Sequence, residues 1–210
     1  TWPYAEGCIT VSSLSGTFAS VEDAVGAAAE GDTVDMTACV GEFALAETLT
    51  IDKALTLSGR ASESTGLVGN SGTALVITAD GVTVTGLSIA AAGIAVEIVN
   101  TDNVVLEDLV MDASGDWGLA AQNADTLSMT DVVISNNPTG GMYISAGSAT
   151  LTDVSIVDNT AYGLYADSTD IDIIGSEISR TVWSSATTQG DGLGVVSANG
   201  SEINLDGTLV

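Results

Sequence analysis

Val82-Thr-Val-Thr-Gly-Leu-Ser-Ile89 returns as Val104-Val-Leu-Glu-Asp-Leu-Val-Met111, then as Leu127-Ser-Met-Thr-Asp-Val-Val-Ile134, Ala149-Thr-Leu-Thr-Asp-Val-Ser-Ile156 and Ile171-Asp-Ile-Ile-Gly-Ser-Glu-Ile178. Their last residues, Ile89, Met111, Ile134, Ile156 and Ile178, stand 22, 23, 22 and 22 positions apart. A fixed period of that size, with apolar and polar residues alternating inside each unit, marks a solenoid whose coils bury apolar faces only against their neighbours.

Each unit has a first half built on a glycine and an apolar residue: Gly93-Ile94, Gly118-Leu119, Gly141-Met142, Gly163-Leu164 and Gly192-Leu193. Alternation of apolar with small or polar residues predicts strands buried on one face. Asn100-Thr-Asp-Asn103, Asn123-Ala-Asp-Thr126, Ala146-Gly-Ser and Asp167-Ser-Thr-Asp170 read as the corners between halves. Asn, Asp, Ser and Gly suit corners because they accept left-handed backbone or bond their own main chain. Thr85-Gly86, Thr130-Asp131 and Thr152-Asp153 predict a bend within the second half.

The upstream segment has a different pattern. Ser20 reads as an N-cap with Asp23 at the third helical position, close to a capping box, and Val21, Ala24, Val25 and Ala28 give one apolar stripe. This predicts a helix over 20–30, stopped by Gly31 as a left-handed residue, that covers the open end of the stack. The 60–72 segment, with three glycines, reads as a loop or irregular coil. The division is therefore residues 1–47, holding an N-terminal flap, the capping helix and a first strand, and residues 48–210, holding the coils. With no capping pattern before Val210, a fragment of a longer chain, or a partner over that end, is expected.

The coils resemble the right-handed parallel β-helix of the pectin-lyase-like superfamily. The helix ending at Gly31-Asp32, followed by Gly41-Glu-Phe43, Leu49-Thr-Ile51 and Leu55-Thr-Leu-Ser-Gly59, is similar to the way that superfamily begins its first coils. The resemblance covers roughly residues 18–205 and implies an all-β, right-handed parallel β-helix with a short N-terminal capping helix. It leaves function open, because the superfamily hosts lyases, hydrolases, epimerases, adhesins and passive surface proteins.

Composition narrows the choice. Three basic residues, Lys53, Arg60 and Arg180, face 28 acidic ones, with no histidine, for a formal charge of −25. That field disfavours nucleic acid and anionic membranes. No apolar run is long enough to span a bilayer. Cys8 and Cys39 precede the regular coils; a disulfide pinning the flap in an exported protein and a pair of buried free thiols both fit.

Stacking would bring the loops at 112–117, 135–140, 157–162 and 179–191 to one edge. There they gather Asp112, Asp116, Asn136, Asn137, Asp158, Asn159, Arg180 and Asp191 with Trp117, Tyr162 and Trp183. Tyr143 and Tyr165 follow equivalent glycines, so alternation points both outward, one rung apart. Exposed rings beside carboxylates and amides suit sugars, whose C–H patches stack on ring faces and whose hydroxyls bond the polar groups. The structural alternative is that the tyrosines only cover the sheet beneath the 179–191 loop. Trp117, Tyr143, Tyr162, Tyr165, Trp183, Asp112, Asp116, Asp158, Arg180 and Asp191 are the candidate binding residues.

The absence of histidine excludes Ser-His-Asp, Cys-His and histidine-metal sites. Polygalacturonase-like hydrolases carry Asn-Thr-Asp, Asp-Asp, Gly-His-Gly and Arg-Ile-Lys motifs; only an isolated Asn100-Thr101-Asp102 occurs here. A pectate-lyase-like site would need clustered Asp and a basic residue, and Arg180 is the one base on the edge. No cofactor is indicated, and the Asx-rich turns offer at most weak calcium binding. The expectation is a non-catalytic bacterial surface or periplasmic protein that binds a polysaccharide or protein partner. The alternative is a polysaccharide lyase or glycoside hydrolase whose active residues lie outside this segment.

Overall fold

Ile89, Met111, Ile134, Ile156 and Ile178 form one continuous column, each hydrogen-bonded in register with the next coil. Leu67 and Phe43 extend it towards the N-terminus. The computed structural model describes residues 7–182 and 192–210. Apart from one antiparallel pairing at the N-terminus, the named strands pair in parallel, so the chain is a parallel β-helix.

Three sheets run along the solenoid. The first contains Thr33–Met36, Thr56–Gly59 and residues 83–85, 105–107, 128–130, 149–152 and 170–174, ending in Glu202–Asp206. The second contains Gly41–Leu45, Thr65–Gly69, residues 87–91, 109–112 and 132–135, then Ser155–Val157 and Glu177–Ser179. The third runs from Leu49–Ile51 and Leu75–Ile77 through residues 96–98, 119–122, 142–145 and 164–167 to Leu193–Ala198.

Left-handed backbone is stacked at the corners. Gly86, Asp108, Asp131, Asp153 and Gly175 turn the chain from the first sheet to the second, with φ between 48° and 68°. Asn100, Asn123, Ala146, Ser168 and Asn199 turn it from the third to the first. Ala113, Asn136, Asp158 and Arg180 turn it out of the second. Glycine meets no Cβ clash at such φ, and Asn and Asp accept it at low cost, which explains most of these positions, while Ala113, Ala146, Ser168 and Arg180 take the same backbone without that advantage.

The helix spans Val21–Ala27, shorter than the predicted 20–30. Ser20 caps it by accepting from the Asp23 N–H at 3.1 Å. Gly31 does not terminate it. Ala28 takes an extended conformation and ends the helix three residues earlier. Lys53 satisfies the loose end from the following coil, donating through Nζ to the carbonyls of Val25, Gly26 and Ala28 at 3.2, 3.4 and 3.1 Å. A cation there also complements the negative end of the helix dipole. Val21, Ala24 and Val25 bury the helix against the first coil.

Thr10–Val11 pairs antiparallel with Val34–Asp35 and forms the flap, and Cys8 is disulfide-bonded to Cys39, with Cα atoms 5.2 Å apart. Asp32 anchors the same flap. One of its carboxylate oxygens accepts from Ser12 Oγ at 2.7 Å, and the other from Ser13 Oγ at 2.6 Å and the Ala29 N–H at 2.7 Å.

Three further expectations need correction. Residues 33–45 already pair in parallel with the next coil, so the stack begins ahead of residue 48. Within the segment read as a loop, Thr65–Gly69 is a buried strand, because its alternate positions complete the second sheet. The outermost glycine units are offset by two residues: Ala95 and Gly194, not Gly93 and Gly192, stand in the column of Gly118, Gly141 and Gly163. A two-residue slip keeps every side chain on the same face, so the alternation holds although the register moves.

Candidate functional site

Outward positions of the third sheet carry the aromatic residues. Tyr143 and Tyr165 are register partners on successive coils, and Trp117, Gly140 and Tyr162 occupy a neighbouring column. The four rings form one cluster. Trp117 lies 5.7 Å from Tyr143 and 5.9 Å from Tyr162, with the latter pair nearly parallel at 11°. Tyr165 lies 5.8 Å from Tyr143 and meets Tyr162 edge-on at 5.4 Å. These separations fall in the favourable range for aromatic pairs.

Gly140 is why Trp117 and Tyr162 meet. They sit two rungs apart, a backbone separation of roughly 9–10 Å, yet their rings stack because the residue between them has no side chain. A Cβ on Gly140 would run into the Trp117 ring. All four rings remain partly exposed.

The carboxylates at the adjoining corner are tied to neighbours. Asp112 accepts from Ser135 Oγ at 2.6 Å and Asn136 Nδ2 at 2.7 Å. Asp158 holds Arg180 in a fork, with Nε to Oδ1 at 2.7 Å and Nη2 to Oδ2 at 2.8 Å, while Glu177 lies 3.5 Å from Nη1. The guanidinium keeps the Asp158 carboxyl below the usual range, and the Asp158 carboxylate raises Arg180 in return. Asp116 is partly exposed in the same corner. Trp183 and Asp191 lie outside the described residues.

Asn137 and Asn159 do not reach this surface. Both are wholly buried and face the interior beside the glycine column. Each follows a left-handed residue, Asn136 or Asp158, which turns the next side chain inward. Asn100-Thr101-Asp102 is a corner on the far side of the third sheet, with Thr101 buried. Among the described residues, no three Asp, Glu, Cys or His side chains are grouped to hold a metal ion.

One feature escaped the sequence reading. The outer face of the first sheet carries an open groove of about 440 Å³ lined by Ser128, Thr150, Asp172 and Asn204, with Asp170 and Glu202 beside them. Its signal is present in the polar alternates of the repeat, such as Thr150-Leu-Thr152, which point away from the buried face. No aromatic ring lines it.

No curated protein matches the chain at a significant level. Among solved structures it is similar to the pectate lyase Pel9A (TM-score 0.69, 12% identity, 88% of this chain and 53% of that one). It is also similar to ORF18 of Geobacillus virus E2 (TM-score 0.68, 12% identity, 91% of this chain and 45% of that one). The chain thus spans about half the length of either structure, and likeness at this identity concerns the fold alone. The family described as "Right handed beta helix region" matches residues 54–208, from the second coil to the last strand. By this match, and by the parallel coils it describes, the chain belongs to the right-handed β-helix family.

Proposed function

We propose that this β-helix is an exported, non-catalytic scaffold that binds a glycan on the outer face of its third sheet. The observation that carries the reading is the cluster of Trp117, Tyr143, Tyr162 and Tyr165, partly exposed and in mutual contact across three successive coils. Four of the chain's nine aromatic residues meet there. Contiguous apolar surface on an acidic body marks contact sites, and rings beside Asp116, with Glu97 in the column of Tyr143 and Tyr165, offer sugars both stacking and hydrogen-bond acceptors. The Cys8–Cys39 disulfide supports an oxidising location such as the periplasm or the cell exterior. The enzymatic alternative lacks residues to carry it: no histidine exists, and the base at this edge, Arg180, is held by two carboxylates.

The test pairs binding with stability on the double variant Tyr143→Ser, Tyr165→Ser. Binding to an immobilised polysaccharide panel should be lost, with a stability loss of only about 1–2 kcal/mol, the low end for the three partly exposed ring pairs removed. A loss of several kcal/mol, the scale of emptied packed sites, with binding intact would assign the rings to packing. The wild-type chain should release no unsaturated or reducing-end products from the same panel.

A further inference from the structure

Only three cationic side chains exist in the whole chain. Lys53 is committed to the helix carbonyls at the N-terminal end. Arg60 follows the strand Thr56–Gly59, two coils ahead of Trp117 and at the corner between the first and second sheets rather than on the third. Arg180 adjoins the rings, but Asp158 engages it through two hydrogen bonds and Glu177 stands 3.5 Å from its third nitrogen, so two negative charges face one positive charge.

None of the strip's remaining register neighbours is cationic: Leu193 and Val196 stand beside Tyr162 and Tyr165 on the next coil, and Gln122 beside Ser145 on the preceding one. Glu97 lies in the same outward column as Ala120, Tyr143 and Tyr165, and Ser145 and Asp167 form the next outward column on the same two coils. A carboxylate accepts hydrogen bonds and cannot donate them. It therefore suits a sugar hydroxyl and repels a uronate or sulfate, and the one cation nearby, Arg180, is already engaged by Asp158 and Glu177.

Geometry adds a direction. Trp117, Tyr143 and Tyr165 sit on three consecutive coils with neighbouring centroids 5.7 and 5.8 Å apart. Rungs advance by roughly 4.8 Å, close to the advance of one pyranose unit along an extended glycan. Successive sugars laid along the solenoid axis therefore meet successive rings, whereas a chain laid across the coils meets at most the Tyr162 and Tyr165 pair.

Resting on the glycan-binding reading above, we infer that the ligand is an uncharged, extended glycan lying along the solenoid axis. Acidic polysaccharides of the pectate type are rejected by charge.

Matched pairs provide the test. Linear β-glucan, xylan, mannan and galactan oligosaccharides are compared with the same oligosaccharides carboxylated at one hydroxymethyl or hydroxyl position per unit. Binding to the full chain is read by tryptophan fluorescence and calorimetry at low and high salt, with chelator present. The expected result is that at least one neutral oligosaccharide binds, that its affinity does not change with salt, and that its carboxylated twin binds at least about tenfold more weakly at low salt, with part of the loss recovered at high salt. A carboxylated oligosaccharide that binds as tightly as its neutral twin overturns the inference while leaving a glycan-binding strip in place. Failure of both members of every pair overturns the inference together with the functional reading beneath it.

Discussion

The side-chain amide of Asn137 donates through Nδ2 to Oδ1 of Asn159, 2.9 Å away on the next coil, and both side chains are wholly buried. Oδ1 of Asn159 also accepts from the backbone N–H of Asn137 at 3.0 Å, while its own Nδ2 donates to the carbonyls of Ile134 and Val157. One coil earlier, Asn137 Oδ1 accepts from the Ser114 N–H. The ladder thus ties the N–H groups of Ser114 and Asn137 at the corners, and carbonyls at the ends of the second-sheet strands, to buried side chains.

Replacing Asn159 with Ala should therefore destabilise the chain by about 3 kcal/mol, since each buried polar group left without a partner costs roughly 1–3 kcal/mol. Asn204→Ala serves as the control. That asparagine is exposed and bonds only to Asp172, so its loss should stay within about 0.5 kcal/mol. Urea unfolding of both variants checks the contrast, and equal effects would deny the ladder its role.

The same asparagines show where sequence reading stops. The isoleucine column was legible because a strand has period two and the repeat has period 22, so facing and register follow from counting. Asn137 and Asn159 read as outward loop residues because nothing in their identity reveals the left-handed turn at Asn136 and Asp158 that reverses alternation. The early end of the helix was hidden for another reason. Lys53, which satisfies its carbonyls, is supplied by the next coil, and such a tertiary partner leaves no local mark. The tyrosine pair was legible from spacing, whereas the approach of Trp117 to Tyr162, two rungs apart, depends on a missing side chain at Gly140 on the rung between them.

Asp32 should give the flap an acid-sensitive component. Its hydrogen bonds from Ser13, Ser12 and the Ala29 N–H favour the carboxylate and hold the folded-state pKa below the ordinary value of 3.8. A depressed folded pKa contributes stability that is fully present above the unfolded value and is lost as pH falls through the folded one. The window therefore lies below about pH 4. The −25 net charge works the other way, because early protonation relieves repulsion. Comparing wild type with Asp32→Asn isolates the local effect. The stability gap between them should be constant at neutral pH and close below about pH 4, as followed by denaturant titrations at stepped pH. A gap independent of pH would refute the linkage.

Gly140 and Gly141 are adjacent in sequence and opposite in consequence. The nearest atoms to a Cβ at Gly140 all belong to the Trp117 ring, a partly exposed side chain, whereas one at Gly141 meets Ile156, the Gly163 carbonyl and Asn159 Nδ2 inside the solenoid. Gly141→Ala should therefore cost about 1–3 kcal/mol or more, the scale of overpacking a core. Gly140→Ala should cost under about 1 kcal/mol, shift tryptophan emission and weaken glycan binding by parting Trp117 from Tyr162. Thermal melts and fluorescence spectra of the two variants decide the matter, and similar melting temperatures would show the packing argument to be wrong.

Asp158→Asn should convert the strip from rejecting acidic glycans to accepting them. Asp158 is left-handed, with φ of 57°, and asparagine tolerates that backbone at least as well, so the substitution leaves the corner intact. The fork with Arg180 is largely exposed, the two side chains being 42% and 58% accessible, and exposed pairs contribute about 0–1 kcal/mol. Stability should barely change. The electrostatics change more, because the mutation removes one carboxylate and leaves Arg180 with Glu177 as its remaining acidic neighbour at 3.5 Å. A carboxylated oligosaccharide should then gain affinity by roughly tenfold at low salt, and the gain should fade as salt rises and screens the guanidinium. The neutral twin should bind the variant as it binds wild type. If the variant gains nothing for the carboxylated ligand while keeping its neutral one, the bound guanidinium is not what stands between this surface and acidic glycans.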